Sequence, residues 1–116
     1  MDYQKKKNLT EAFEDLEKNY NIIARENWQC CNTCGWAAMA DVQKENPDAK
    51  GAVFYHAQAT ENLEDSGRCF LNFGSFNDSV VDTIKLGCTI AQVLRQHNLF
   101  VDWDYTAFRK IGVDIH

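Results

Sequence analysis

Apolar residues recur near the start of the chain at the spacing of an α-helix. They are separated by four, three, four and three positions and so share one face: Leu9, Phe13, Leu16, Tyr20 and Ile23. Acidic residues mostly occupy the other side and fall in the first half, where the helix dipole favours negative charge. The pattern predicts a helix over residues 8–26.

The next segment combines short apolar runs with small residues. Residues 28–31 have the composition of a short strand, and a helix is predicted over residues 33–45 because Pro47 follows it as a stop signal. Residues 52–57 and 68–73 are rich in β-branched and aromatic side chains, which predicts two strands. The polar stretch between them ends in Asp-Ser-Gly, a turn signal, so these two strands are expected to form a hairpin.

The longest helix is predicted over residues 77–97. Its apolar stripe is broad, as expected for a helix packed on a sheet, and consists of Val80, Val81, Ile84, Gly87, Cys88, Ile90, Ala91 and Leu94. Cys88, which lies on this stripe, is therefore predicted to be a core residue. Asn77 or Asp78 is expected to cap the start of the helix, and Asn98 to adopt a left-handed conformation after its end.

Two alternating segments close the chain. In residues 100–104, the side chains of Val101 and Trp103 face one way and those of Asp102 and Asp104 face the other, which is the pattern of a half-buried strand. The last five residues before His116 alternate similarly and are predicted to pair with this strand.

The order of these elements predicts the fold class. The strand–helix–strand unit over residues 68–104 is expected to be a right-handed crossover that joins parallel strands, and the hairpins on either side make the sheet mixed. We therefore predict an α/β domain of α+β-like type, in which three helices pack on a mixed sheet of four to five strands.

Length and charge exclude several classes of protein. The chain has 116 residues, so residues 1–116 are predicted to form a single domain. Its net charge is −5 and its only basic run is Lys5–Lys7, which argues against a nucleic-acid partner. We expect no membrane association, because no apolar stretch is long enough to span a bilayer and the N-terminus does not resemble a signal peptide. Five cysteines, two of them adjacent, indicate reduced thiols in the cytoplasm rather than a disulfide framework.

Cys31 and Cys34 have the spacing of half a zinc site. A structural site needs four ligands, and Cys69 and His56 are candidates to complete it. The same pair at the start of a helix could instead carry a reactive thiolate, with His56 as its base or in acid–base work with Glu61. The interpretation that we favour is that these cysteines pack the start of the helix, so that no cofactor is expected.

Acidic residues are spread along the whole chain and supply the candidates for partner binding. The candidate binding residues are Glu61, Glu64, Asp65, Asp102, Asp104 and Tyr105. Asp102 and Asp104 share a strand face beside Tyr105, and carboxylates around an aromatic anchor are what a site for a basic protein partner needs. The alternative is an ordinary solvated outer face.

Four segments follow one another along the chain: Trp28-Gln-Cys-Cys-Asn-Thr-Cys-Gly35, Phe54-Tyr-His-Ala-Gln-Ala-Thr-Glu61, Cys69-Phe-Leu-Asn-Phe-Gly74 and Leu99-Phe-Val-Asp-Trp-Asp104. In this order they resemble an uncharacterised family of small bacterial proteins, a domain of unknown function. The resemblance covers residues 28–115, which leaves residues 1–27 as an N-terminal helical segment. It implies that the segments belong to one pattern, but it supplies no mechanism. Ala59 stands where an acidic residue is expected in this pattern, which argues against an intact acid–base site.

These observations together favour a binding role. We expect a non-catalytic protein-binding protein, for example an immunity or antitoxin-type protein that neutralises a basic toxin domain through its acidic surface. The alternative is a zinc- or thiol-dependent enzyme that uses Cys31, Cys34 and His56.

Overall fold

The computed structural model describes residues 3–29, 32–77, 79–107 and 109–115, without the side chains of Asn32, Gln58 and Glu64. Within this part of the chain the helices are α1 (Tyr3–Asn19), α2 (Asn32–Glu45), α3 (Ala57–Ser66) and α4 (Val80–Gln96). The strands are β1 (Ile22–Arg25), β2 (Gly51–Phe54), β3 (Arg68–Ser75), β4 (Phe100–Asp102) and β5 (Ile111–Asp114). The predicted α+β class is confirmed, with four helices where three were predicted.

The five strands form one mixed sheet in the order β1-β2-β3-β5-β4. β1 and β2 are parallel, and the other neighbouring strands are antiparallel. Since β3 and β4 are both antiparallel to β5, they run parallel to each other. The prediction that the unit containing α4 joins parallel strands is therefore confirmed, although β5 lies between them.

Alternation along the strands divides the core into two layers. The larger layer lies under α1, α3 and α4, and its strand residues include Ile22, Val53, Leu71, Val101 and Val113. On the opposite face, Met39 of α2 packs against side chains of β1 and β2, namely Ile23, Ala52 and Phe54. On this face of the sheet, helix α2 therefore covers the half formed by β1 and β2.

The first helix ends earlier than predicted. α1 ends at Asn19, and Ile22–Arg25 forms strand β1 instead of extending the helix to residue 26. Asn21 has a φ of 55°, a left-handed conformation that interrupts the helix. Ile23 fits the helical spacing of α1 only by coincidence. It belongs to strand β1, in which Ile22 and Ala24 face one layer of the core and Ile23 faces the other.

The strand predicted over residues 28–31 is also wrong where the structure describes it. Trp28 and Gln29 lie in the loop that follows β1, and Gln29 has a φ of 62°. Cys30 and Cys31 lie outside the described residues.

The predicted hairpin contains a helix. β2 ends at Phe54, and the polar stretch before β3 forms α3 instead of an extended connection. His56 caps its start, Gly67 ends it with a φ of 76°, and Ala59 and Leu63 turn one face to the core. β2 and β3 are antiparallel neighbours as predicted, so only their connection was wrong.

The long helix α4 begins after Ser79, whose hydroxyl accepts a hydrogen bond from the Asp82 amide. The cap was predicted at Asn77 or Asp78; Asp78 lies outside the described residues, and the Asn77 side chain instead accepts from the Ser79 amide. Asn98 adopts the predicted left-handed conformation, with a φ of 64°.

Cys88 was predicted to lie in the core and is exposed. Val80 and Val81 are also exposed, so the buried stripe of α4 is narrower than its apolar composition indicates. The helix packs on the sheet through Leu86, Ile90 and Leu94.

Candidate functional site

Helix α2 packs on one face of the sheet. On that face, the half formed by β3, β5 and β4 is exposed to solvent. Phe70 is 48% exposed and Phe100 is 62% exposed, although both belong to strands of the sheet. We call this half the open face and define it by the side chains that point to it: Arg68, Phe70, Phe100, Asp102 and Asp114, together with Gly112. Exposed aromatic rings on a regular sheet are typical of an interaction surface.

The register of the three strands arranges the open face in two rows. Arg68, Asp114 and Phe100 form one row, and Phe70, Gly112 and Asp102 form the next. Because Gly112 has no side chain, the Phe70 ring lies close above it, and a Cβ added there would stand 3.3 Å from Phe70 Cε1. The two phenylalanine rings therefore lie at opposite corners of the face.

Arg68 links the charged groups of the open face. Its Nε and Nη2 donate to the two carboxylate oxygens of Asp114 at 3.2 and 3.1 Å, and Nη2 lies 3.6 Å from Asp102. Hydrogen bonding and charge from Asp114 raise the pKa of Arg68. The charges between the two rings are thus held in a fixed geometry before any partner binds.

A compact corner follows β4. The buried Trp103 donates from Nε1 to the carbonyl oxygens of Thr106 and Arg109, each at 3.1 Å. Asp104 accepts from the amide and hydroxyl of Thr106 and from Arg109. Loss of water contact alone would raise the pKa of Asp104, but these hydrogen bonds hold it below its usual value. Asp104 and Asp102 line a hollow of about 220 Å³ beside Phe70.

The predicted partner-binding residues fall into two groups. Asp102 and Asp104 lie at the open face. Tyr105 follows directly after them, and its ring packs against that of Trp103 in a tilted arrangement, with the ring centroids 4.8 Å apart. Glu61 and Asp65 are exposed on α3, which packs on the opposite face of the sheet. The helix α3 also contains Glu64, whose side chain is not described. The structure therefore does not unite the two groups on one surface.

The predicted cysteine and histidine site is incomplete in the described residues, because Cys31 lies outside them. Cys34 is exposed at the start of α2. The loop after β1 runs beside the end of β2, since Trp28 donates its amide to Tyr55 O at 2.8 Å and Ala57 donates to Gln29 O at 3.0 Å. Within the described ranges, no three His, Cys, Asp or Glu side chains are grouped so that they could hold a metal ion.

His56 and Cys69 both have structural roles. The His56 Nδ1 accepts a hydrogen bond from the Ala59 amide at 3.3 Å and so caps α3. Burial, with a smaller effect of Lys110, lowers the pKa of His56. Cys69 belongs to the larger core layer, and burial raises the pKa of its thiol to about 12, so the thiol is protonated at neutral pH.

Sequence reasoning missed a polar network between α1 and the sheet. Glu26 accepts hydrogen bonds from Lys6 Nζ at 2.9 Å, from Thr10 Oγ1 at 3.0 Å and from the Tyr55 hydroxyl at 2.8 Å. Burial and the nearby Glu26 raise the pKa of Tyr55. The network fastens α1 to the sheet, and its members come from three segments that share no local pattern: α1, the residue after β1 and the residue after β2.

The two phenylalanine anchors were also missed, although the sequence contained their signal. Cys69 and Leu71 are core residues, so strand alternation alone places Phe70 on the opposite face. By the same reasoning Val101, which was correctly expected to face inward, places Phe100 outward.

Replacing His56 with asparagine is expected to remove part of the pH dependence of folding stability. Because the pKa of His56 is lower in the fold than in the unfolded chain, its contribution is complete above about pH 6.5 and is lost as the pH falls below that value. Between pH 7.5 and pH 5.5 the wild type should lose stability that His56→Asn, which keeps a capping acceptor, does not lose. Urea unfolding at both pH values measures this difference, and parallel losses in the two proteins would contradict it.

The fold and the open face define a small α+β protein. Its mixed sheet has five strands, and half of one face of this sheet is exposed. A family model described as Domain of unknown function (DUF6891) matches residues 3–116, and the chain belongs to this family. The expected membership of a domain family of unknown function is thereby confirmed, and the match begins well before Trp28. Neither the curated proteins nor the solved structures contain a match. Of the helices in the described residues, none is both long and apolar enough to cross a membrane.

Proposed function

We propose that this protein is a non-catalytic binding protein that docks a basic protein partner on the open face. The observation that carries the proposal is the exposure of Phe70 and Phe100 on one uncovered half of the sheet. Aromatic side chains are enriched among the residues that contribute most to protein–protein binding, because burying each ring removes a large apolar area from water.

The charges around the rings are of both signs. Asp102 and Asp104 line the hollow beside Phe70 together with Arg109 and Lys110, and Arg109 lies 3.3 Å from Asp104. A basic side chain of the partner would reach the two carboxylates by displacing Arg109. Arg68 is already engaged by Asp114 and Asp102, so it is not an unpaired cation that would repel such a partner. The net charge of −5 adds long-range attraction, which raises the association rate at low salt.

A finer proposal names the biological task. We propose that it acts in a bacterial cytoplasm as an immunity protein that occupies a basic toxin domain; its five cysteines fit reduced thiols in that compartment. The support is an analogy of size and charge: a compact acidic domain with a rigid aromatic patch can cover a basic site without any chemistry of its own.

His56, which was named for the enzyme alternative, and Cys69, which was a candidate zinc ligand, favour binding over catalysis. His56 uses its Nδ1 as a helix cap, and the Cys69 thiol is buried and protonated. The Cys69 thiol and this nitrogen of His56 are therefore not presented to a substrate, whereas the aromatic rings of the open face are exposed.

The proposal is tested first by site-specific cross-linking in cells. A photo-reactive amino acid is placed at Phe70, and in a second protein at Val81, which is more exposed than Phe70 but lies on α4. A basic protein captured from position 70 and not from position 81 identifies the partner. Capture of only a second copy of this chain would show that the open face is a homodimer interface and would overturn the proposal.

The purified partner then allows a quantitative test. The double variant Phe70→Ser with Phe100→Ser should weaken binding roughly 100-fold or more, because the two aromatic anchors of the open face are lost. The matched control is Val80→Ser with Val81→Ser, which removes two exposed apolar side chains elsewhere and should leave affinity unchanged. Association should also slow as salt rises from about 50 to about 500 mM. Equal affinity of the two double variants would exclude the open face as the docking site.

A further inference from the structure

A cleft of about 470 Å³ opens between α4 and the sheet, at the end where β3 leads into α4. This volume falls in the range of small-molecule sites, about 300–1,000 Å³. Its lining comes from separate segments, the end of α1, the start of β1, the residue before β2 and the turn after β3, and α4 forms one wall.

The floor of the cleft is apolar. Ile22 and Leu86 are buried core residues and Tyr20 packs against the same layer, yet all three contribute to the lining. Gly51 stands behind Leu86, and a Cβ added to it would lie 2.7 Å from Leu86 Cδ2, so Leu86 is held in place against the backbone. A ligand that enters the cleft therefore meets a preformed apolar surface.

Two cationic side chains stand at the rim. Lys50 and Lys85 are exposed and both line the cleft, and among the described residues neither ammonium group forms an ion pair or a hydrogen bond. Asp82 is the acidic residue of the lining, and its carboxylate is engaged by the Asn77 amide at 2.6 Å. Among the described residues of the lining, the charges sum to one positive unit, which matches an anion with a single negative charge.

We propose that this cleft binds a small amphipathic carboxylate, with its apolar body on the floor and its carboxylate near Lys50 and Lys85. Neither the lysines nor the apolar floor would bind the ligand well alone. Exposed lysine charges attract an anion only weakly, and an apolar floor does not orient it. The site lies under α4, on the face of the sheet opposite to the open face. Its test is therefore independent of the proposed partner binding.

The test uses two fluorescent probes with nearly the same apolar body. 8-Anilinonaphthalene-1-sulfonate has one negative charge, and N-phenyl-1-naphthylamine has none. The anionic probe should bind the native protein with enhanced fluorescence and should be displaced by decanoate. In Lys50→Gln with Lys85→Gln, its binding should weaken about fivefold to tenfold, whereas binding of the neutral probe should not change.

Control variants and mapping decide where the probe binds. Lys18→Gln with Lys44→Gln removes two exposed lysines from other helices and should leave both probes unaffected. Amide chemical-shift changes on adding decanoate should centre on Lys50, Lys85 and Thr89. Shifts centred on Phe70 and Phe100, equal weakening in the two lysine variants, or no displacement by decanoate would each overturn the proposal.

Discussion

Replacing Gly87 with valine is expected to destabilise the fold by about 3 kcal/mol, at the upper end of the usual cost of overpacking. Gly87 lies in α4 against the edge-to-face pair of Trp103 and Phe73. An added Cβ would stand 2.7 Å from Trp103 Cζ2 and 2.9 Å from Phe73 Cε2, so the indole must move. Trp103 is not free to move, because its Nε1 donates two hydrogen bonds to the corner after β4. Urea unfolding monitored by circular dichroism measures the loss.

Three further substitutions make this prediction specific. At an exposed helix position, a glycine-to-alanine change stabilises a protein because alanine has the higher helix propensity. A loss of stability in Gly87→Ala would therefore demonstrate the clash. Adding Trp103→Phe to Gly87→Ala should recover part of that loss, because the smaller phenylalanine ring leaves room for the added methyl group. The neighbouring change Cys88→Ala at an exposed position should stay within about 0.5 kcal/mol. A neutral or stabilising Gly87→Val would refute the described packing.

The contact between Gly87 and Trp103 also illustrates what the sequence can and cannot predict. The apolar stripe of α4 was evident from spacing, and the alternation around Trp103 correctly placed it inward. Neither pattern indicated that the two residues meet. Helical and strand periodicity assign a residue to a face, whereas the partner on that face depends on how the elements pack.

The errors in the fold have the same origin. α3 was missed because its cap is a histidine, which is not among the usual capping residues, and because its apolar face contains only Ala59 and Leu63 in the described core. β1 was hidden because Ile23 continued the helical spacing of α1. In both cases a short element is stabilised by the sheet next to it, and local propensity carries little of that information.

The candidate site was predicted in part. Asp102 and Asp104 were expected on an exposed strand face, and both lie exposed at the open face. The carboxylates of α3 were grouped with them because they are acidic, but charge alone does not specify the layer on which a residue lies. The sequence indicates which side of its strand Phe70 occupies. It does not indicate that α2 leaves that side uncovered, and the aromatic anchors were overlooked for this reason.

Replacing Glu26 with alanine is expected to destabilise the protein by about 2 kcal/mol. The Tyr55 hydroxyl is buried and donates to Glu26 at 2.8 Å, so the variant leaves this donor without its partner, a loss of about 1–3 kcal/mol. Lys6 and Thr10 lose the same acceptor, which loosens the start of α1 from the sheet. Urea unfolding at pH 7 measures the free energy of unfolding, and hydrogen exchange should show the largest loss of protection in α1.

A double-mutant cycle separates this network from simple loss of packing. Tyr55→Phe removes the hydroxyl but keeps the ring against Phe13, so it should cost about 1 kcal/mol. Once the hydroxyl is absent, Glu26→Ala leaves no buried donor unsatisfied, and the double variant should be less destabilised than the sum of the two single variants by about 1 kcal/mol. Glu14→Ala, on the exposed side of α1, serves as the control and should change stability by less than about 0.5 kcal/mol. Strictly additive effects of Glu26→Ala and Tyr55→Phe would mean that the two residues stabilise the fold independently, because a shared hydrogen bond requires them to be coupled.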